Sequence, residues 1–116
     1  MDIYHIWCDL KPGVKDVDFV DSVDQYLGGL QQAGKLETFR ITRRKLGLDG
    51  VGLGDFHIQL EFTGLAQLDD AFIQVSTRDD PVESFHQAVN SKVQNVQFSL
   101  YRDFPDQHRK QGEEKF

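Results

Sequence analysis

The sequence predicts an α+β fold in which helices cover one face of a four-stranded antiparallel sheet. Four stretches alternate apolar and polar residues, and two regions between them carry apolar residues at helical spacing. The element order is β, α, β, β, α, β, with an extra helical segment before the last strand. We expect a single domain over residues 1–104, followed by a polar C-terminal tail over residues 105–116.

A strand and an amphipathic helix begin the chain. The strand runs from Asp2 to Leu10 and alternates in character. One of its faces carries Tyr4, Ile6, Cys8 and Leu10, and the other carries Ile3, His5, Trp7 and Asp9. From about Asp16, the apolar positions Val20, Val23, Leu27 and Leu30 recur at helical spacing. Gly34 stands where a left-handed C-cap is expected, and Gly28-Gly29 inside the helix suggest close packing or a bend.

The next two strands read as a hairpin. Leu36 to Leu46 alternate, with Arg40, Thr42 and Arg44 on the polar face. Phe56, Ile58, Leu60 and Phe62 then alternate with His57, Gln59, Glu61 and Thr63. The glycine-rich stretch 47–54 joins the two strands. It lacks a Gly-Lys-Ser/Thr ending and leads into a strand, so we interpret it as a hairpin loop or lid and not as a phosphate-binding loop.

Two helical segments and a strand complete the pattern. The apolar stripe of the first segment is Leu65, Leu68, Ala71, Phe72 and Val75. Asp80-Pro81-Val82-Glu83 begins the second segment, with an N-cap, a proline at the first helical position and a glutamate two positions later. In the last strand, Val96, Phe98 and Leu100 alternate with Gln97, Ser99 and Tyr101.

This order of elements is that of the ferredoxin-like βαββαβ fold. Right-handed crossovers give the strand order 4-1-3-2, with all helices on one side of the sheet. The more apolar set of each strand must then meet the helices, including Val96, Phe98 and Leu100. The other set lies on an open face, and its members are Ile3, His5, Trp7, Arg40, Thr42, Arg44, His57, Gln59, Glu61, Gln97, Ser99 and Tyr101.

Composition narrows the classes of partner. The 116 residues include 13 Lys and Arg against 19 Asp and Glu, which gives a net charge of −6 and disfavours nucleic acid as a partner. The single Cys8 excludes an intrachain disulfide and every CxxC metal motif. Apolar runs are far shorter than the ~20 residues that a membrane helix needs, and the N-terminus lacks the pattern of a signal peptide. We therefore expect a cytoplasmic protein.

The element order, the alternation and the segment Tyr101-Arg102-Asp103-Phe104-Pro105 together resemble the dimeric α/β-barrel superfamily, over about residues 2–104. In that superfamily two ferredoxin-like subunits pair through their open sheet faces and enclose a cavity in each half. Its members include monooxygenases of antibiotic biosynthesis, haem-degrading enzymes, lactone isomerases and stress-responsive barrel proteins. The resemblance therefore implies a homodimer with cavities, but not one particular activity.

His5 and His57 are the first candidates for chemistry, because they lie on adjacent strands and point to the open face. Neutral imidazole acts as a general base or as a metal ligand near pH 7, and Glu61 lies further along the same face. Three interpretations stay open: an acid–base site, a metal or haem site, and a polar pair within an interface. Arg40, in mid-strand, could stabilise negative charge on a ligand or could pair with the protein's own carboxylates.

Trp7, Gln59, Glu61, Tyr101 and Arg44 are the candidate ligand-binding residues. The two aromatic side chains could stack on a ligand, although aromatics also anchor dimer interfaces. We expect a homodimer that binds a small aromatic or carboxylated molecule without a metal or other cofactor. If it is an enzyme, cofactor-independent oxygenation or isomerisation is expected, with His57 or His5 as base and Arg40 stabilising charge. The alternative is a non-catalytic dimerisation module.

Overall fold

The structure is a computed structural model that describes residues 1–48, 52–77 and 82–105, with the backbone only for residues 82–85. It confirms the predicted order of elements. The strands are β1 (Asp2–Leu10), β2 (Thr38–Arg43), β3 (Phe56–Phe62) and β4 (Val93–Arg102). The helices are α1 (Asp16–Gln32), α2 (Leu65–Ser76) and α3 (Val82–Asn90).

One antiparallel sheet contains all four strands, in the order β2-β3-β1-β4. This is the predicted order 4-1-3-2 seen from the opposite edge. The first strand of each half, β1 and β3, lies in the centre, where β1 pairs with both β3 and β4 and β3 also pairs with β2. The predicted ferredoxin-like fold, with its extra helix before the last strand, is confirmed.

The core lies between the sheet and α1. Alternate side chains of β3 are buried, namely Phe56, Ile58, Leu60 and Phe62. They face the apolar side of α1, where Phe19 is fully inaccessible and its ring lies 5.0 Å from that of Phe56. Cys8 of β1 is buried in the same core, and burial raises the pKa of its thiol to about 11. The apolar alternation therefore points toward the helices, as predicted.

The local predictions have mixed outcomes. β2 is shorter than predicted, because the strand ends at Arg43. Gly34 adopts the predicted left-handed conformation, with φ +74°. A Cβ at Gly28 or Gly29 would meet nothing within 4 Å, so the expected close packing there is wrong. The predicted N-cap at Asp80-Pro81 and residues 106–116 of the predicted tail lie outside the described residues.

The helix-facing side of β4 is less covered than predicted. Phe98 and Leu100 share the face of Tyr4, yet they remain 58% and 48% exposed. Val96 is also exposed. β4 is an edge strand, so it has a neighbouring strand, β1, along one of its edges only. The Tyr4 ring partly compensates, since it stacks on Phe98 at 5.8 Å and meets Phe72 edge-on.

Two polar contacts secure the ends of β1. At its start the buried Asp2 carboxylate receives hydrogen bonds from Nε and Nη2 of Arg102, the latter at 3.0 Å. At its end Asp9 accepts hydrogen bonds from the Asp55 backbone and from Asn95 Nδ2. Asn95 has φ 54° beside a shift in the β1–β4 register, which marks a β-bulge. Within the described residues, no helix is both long and apolar enough to cross a bilayer.

Candidate functional site

The open face of the sheet carries the candidate residues in three rows that run across the strands. The pairing register defines these rows as Thr38–Glu61–Ile3–Tyr101, Arg40–Gln59–His5–Ser99 and Thr42–His57–Trp7–Gln97. Directly opposed side chains on one face of a sheet lie about 5 Å apart, and diagonal neighbours are within reach of long or aromatic side chains. The fold therefore brings together seven of the eight candidates, all except Arg44.

His5 and His57 form the central contact of this face. Nδ1 of His5 lies 2.9 Å from Nε2 of His57, which is a hydrogen-bond distance. The rings are inclined by 18° and their centroids are 5.1 Å apart. Because the nitrogens are so much closer than the centroids, the rings meet edge to edge and do not stack face to face. One ring donates an N–H to the lone pair of the other, and the tautomers decide which.

Aromatic rings extend this pair in both directions. Trp7 stacks on His57, with centroids 4.6 Å apart and planes inclined by 9°. On the other side Tyr101 meets His5 edge-on at 4.8 Å. The result is a continuous aromatic surface across β3, β1 and β4, with two imidazoles in its middle. Such a surface can bind a flat apolar molecule or the same surface of a second copy.

The environment favours the uncharged form of both imidazoles. Burial lowers the pKa of His5 below the ordinary value of 6.5. Burial also lowers the pKa of His57, and the charge that His5 would carry lowers it further. Only an uncharged imidazole has a lone pair with which to accept a proton. The pair can therefore act as a base at neutral pH.

Arg40 and Gln59 lie opposite each other in the middle row. Arg40 is exposed. Within residues 1–48, 52–77 and 82–105, neither of these side chains makes a hydrogen bond or ion pair. Of the two alternatives for Arg40, pairing with the protein's own acids is therefore not seen among the described residues. Its guanidinium is available to an anionic ligand or to a carboxylate of another subunit.

Glu61 does not join the two histidines. Its carboxylate accepts a hydrogen bond of 2.7 Å from the Thr38 hydroxyl, within the outer row. The described residues contain no group of three or more His, Cys, Asp or Glu side chains that could hold a metal ion. The nitrogens of His5 and His57 also point at each other, so a metal between them would require the rings to separate. The geometry suits a proton better than a metal ion.

Arg44 occupies a different position from the one predicted. It lies one residue beyond β2, where its backbone N–H donates to the Asp55 carbonyl and closes the hairpin. Its guanidinium donates to the Leu53 carbonyl within the loop. The predicted in-strand position is therefore wrong, because the hairpin turns away at this residue. Arg44 instead helps to form a groove beside the open face.

This groove, of about 480 Å³, lies at the hairpin end of the open face. Its walls include Trp7 and His57 from the sheet. The remaining lining residues are Thr42, Arg43, Arg44, Leu46, Leu48, Leu53, Gly54 and Asp55. Sequence reasoning placed Arg43 at a solvated strand end, paired with the protein's own acids, as its ion pair with Asp16 confirms. It assigned no role to Leu48 or Leu53, because loop residues carry no periodic signal. Arg40 and Tyr101, which are also candidate residues of the open face, do not line this groove.

Solved structures with the same fold come from several organisms. A DABB family protein from Mesorhizobium loti has 13% identity and a TM-score of 0.63, over 89% of this chain and 96% of that chain. A dimeric ferredoxin-like protein from Jannaschia has 14% identity and a TM-score of 0.60, over 89% and 100%. SnoaB, a cofactor-independent oxygenase from Streptomyces nogalater, has 7% identity and a TM-score of 0.65, over 90% and 97%.

At these identities the likeness shows the fold alone. The resemblance to dimeric α/β-barrel proteins is confirmed at that level. No curated protein matches the chain. A model of a family of unknown function, DUF6614, matches residues 1–116, which is the whole chain. The chain therefore belongs to the DUF6614 family and has a ferredoxin-like fold.

Proposed function

We propose that two copies of this chain pair through their open sheet faces and bind a small aromatic or carboxylated molecule beside the paired faces. The observation that carries the proposal is the His5–His57 pair, flanked by Trp7 and Tyr101 on a sheet face opposite the core. A solitary subunit would leave this aromatic surface in water. The dimeric ferredoxin-like protein from Jannaschia supports pairing.

The composition and volume of the groove support the proposal that it binds a small molecule. Its aromatic wall of Trp7 and His57 and its leucines suit an apolar body, and its volume of about 480 Å³ is within the range of small-molecule sites. Arg40 does not line the groove but lies in the neighbouring row of the open face, where this cation, without a partner among the described residues, can bind a carboxylate that extends beyond the groove. The negative net charge of −6 makes a polyanion an unfavourable alternative partner.

For chemistry we propose proton abstraction without a cofactor. The resulting carbanion either regains the proton at another position, which is isomerisation, or reacts with dissolved dioxygen as the oxidant, which is oxygenation. His57, which lines the groove, serves as the general base, and His5 accepts or supplies the proton that the two rings share. Arg40 stabilises negative charge that develops on the ligand. SnoaB, a cofactor-independent oxygenase with this fold, supports the reaction class. The cytoplasm is the proposed compartment, since Cys8 has no disulfide partner in the chain.

A second candidate is a dimerisation module without catalysis. It is favoured by the way several polar groups of the face bond to each other, as His5 does with His57 and Thr38 with Glu61. Groups that satisfy one another can stabilise an interface without a ligand. The two candidates predict the same dimer but different contents of the groove.

Mass spectrometry under native conditions, after gentle purification, tests both candidates. A dimer that retains an organic molecule supports the ligand-binding function and identifies the ligand's mass. An empty dimer that also binds no molecule from a panel of aromatic acids supports the dimerisation module. A monomer at micromolar concentration contradicts both, because each depends on pairing through the open face.

A further inference from the structure

The groove beside the open face combines an apolar wall with charges that cancel. Arg43 forms an ion pair of 2.8 Å with Asp16, so its charge is already matched. The pKa of Asp9 is held below its ordinary value chiefly by the hydrogen bond from the Asp55 backbone. The positive charge of Arg44 also lowers this pKa, so the Arg44 charge is matched by the Asp9 carboxylate. Asp55 itself adds a negative charge to the lining. The fixed charges around the groove thus leave little net attraction for an anion.

The His5–His57 pair is the part of this site whose charge can change. With both rings neutral, one N–H lies between them, and the outer nitrogens are one donor and one acceptor whichever tautomer is present. One added proton leaves the N–H···N bond intact and makes it charge-assisted. A second proton removes the acceptor and places two like charges at 2.9 Å. The pair therefore carries either no charge or a single positive charge.

Within residues 1–48, 52–77 and 82–105, the charged groups around the pair do not include a direct counter-ion for that charge. Those on the same face are Arg40, Glu61, Tyr101 and Asp9, with Arg44 and Asp55 at the groove. Glu61 and Asp9 keep their negative charges, but their carboxylates bond to Thr38 and to Asn95 and the Asp55 backbone, and neither forms a hydrogen bond or ion pair with the two imidazoles. Tyr101 presents its ring to His5. No direct counter-ion for a charged pair is thus present among the residues that the structure describes, and an anionic ligand in the groove can supply one.

We propose that the groove binds flat organic monoanions, such as aromatic carboxylates, and that each binding event is accompanied by uptake of one proton by the His5–His57 pair. This inference rests on the proposed ligand site and adds the charge of the ligand and its coupling to a proton. The proton comes from water and is added to an outer nitrogen of the pair, and no bond of the ligand breaks. Trp7 and His57 contact the flat body of the ligand.

Isothermal titration calorimetry with 2-naphthoate and its neutral amide, 2-naphthamide, tests the inference on the full chain. Titrations at about pH 7 in two buffers of different ionisation enthalpy report the protons taken up. For naphthoate we expect uptake approaching one proton per site. The affinity should then fall by up to about tenfold for each unit by which the pH rises. For naphthamide we expect no uptake and no dependence on pH.

Variants locate the proton. His57→Gln should reduce proton uptake to near zero and lower the affinity for naphthoate at about pH 6. His86→Gln on α3, away from the groove, should change neither the proton uptake nor the affinity. Circular dichroism and the native mass of each variant establish that fold and assembly are retained. A His57→Gln protein that still takes up a proton with naphthoate would overturn the inference.

The remaining outcomes separate this inference from the proposed function. Naphthoate binding without proton uptake, or amide binding of equal strength, overturns the inference while the ligand site stands. If neither probe binds, the inference and the aromatic ligand both fail. Pairing of the subunits is measured independently by native mass, so a failure of the dimer would be recognised in the same samples.

Discussion

Nδ1 of His5 and Nε2 of His57 lie 2.9 Å apart, with rings inclined by only 18°. The hydrogen bond between them crosses diagonally from the middle row of the open face to the row that contains Trp7. Two rings joined in this way titrate as a unit and not as independent groups. The pair is consequently the feature of this face whose properties depend most on pH.

Replacing His5 should raise the pKa of His57. In His5→Gln the positive charge that repels a proton on His57 is removed, while the burial that lowers the pKa most remains. We therefore expect the pKa of His57 to increase but to stay below the ordinary value of 6.5. NMR titration of the imidazole carbon-bound protons measures it. An unchanged pKa would show that the two rings do not interact, and a lower pKa would show that His5 stabilises protonated His57 instead of repelling its proton; either result contradicts the prediction.

The pair should also make stability depend on pH. Both folded-state pKa values are lowered, so the unfolded chain binds protons that the folded chain does not. The free energy of unfolding is then highest above about pH 6.5 and falls as the pH drops below it. The double variant His5→Gln/His57→Gln should show a flatter profile between about pH 7 and pH 5. Urea unfolding at fixed protein concentration provides the comparison, with His86→Gln as control.

The contact between Asp2 and Arg102 predicts an asymmetric effect of mutation. Asp2 is 3% exposed, whereas the Arg102 side chain is 47% exposed. Arg102→Ala leaves a buried carboxylate without its charged donor and should cost about 1.5–3 kcal/mol of unfolding free energy. Asp2→Asn leaves the arginine in contact with water and should cost less. Equal losses in the two variants, measured by urea unfolding, would contradict this assignment.

Gly54 and Gly28 provide a matched pair of substitutions. A Cβ at Gly54 would lie 2.5 Å from the Cys8 carbonyl carbon, which is backbone and cannot move aside. Gly54→Ala should therefore destabilise the protein by about 1–3 kcal/mol and disturb the groove. Gly28 lies within α1 and has open space around it, so Gly28→Ala should stabilise by about 0.5–1 kcal/mol. Similar thermal midpoints for both variants would contradict the prediction.

Most of the fold could be predicted from the sequence because period-2 and helical patterns are local. β1 and β3 have the expected faces, and α1 begins at Asp16 as predicted. The errors occur where distant contacts decide. β2 ends at Arg43, and the Arg44 N–H then closes the hairpin by donating to the Asp55 carbonyl. These two residues are 11 positions apart, so a local pattern does not predict their contact. The exposure of Phe98 depends on its edge strand and not on its own alternation.

The candidate site was predictable only as a set of residues on one face. Alternation places His5 and His57 on that face, but the register decides that they are diagonal neighbours, within hydrogen-bonding distance. No sequence signal indicates that Glu61 bonds to Thr38 and not to the histidines. The groove depends on the positions of Arg44, Leu46 and Leu48 and of residues 53–55, which periodicity does not encode.

Sedimentation velocity of the Ile3→Arg and Val17→Arg variants tests the central claim that the open face mediates pairing. Ile3 lies in the outer row of the open face, between Glu61 and Tyr101. Val17 lies on α1 and is 65% exposed, so it provides an equivalent new charge away from that face. We predict a dimer for the wild type and for Val17→Arg, and a folded monomer for Ile3→Arg. A wild-type monomer, or an Ile3→Arg protein that stays dimeric, would contradict the account.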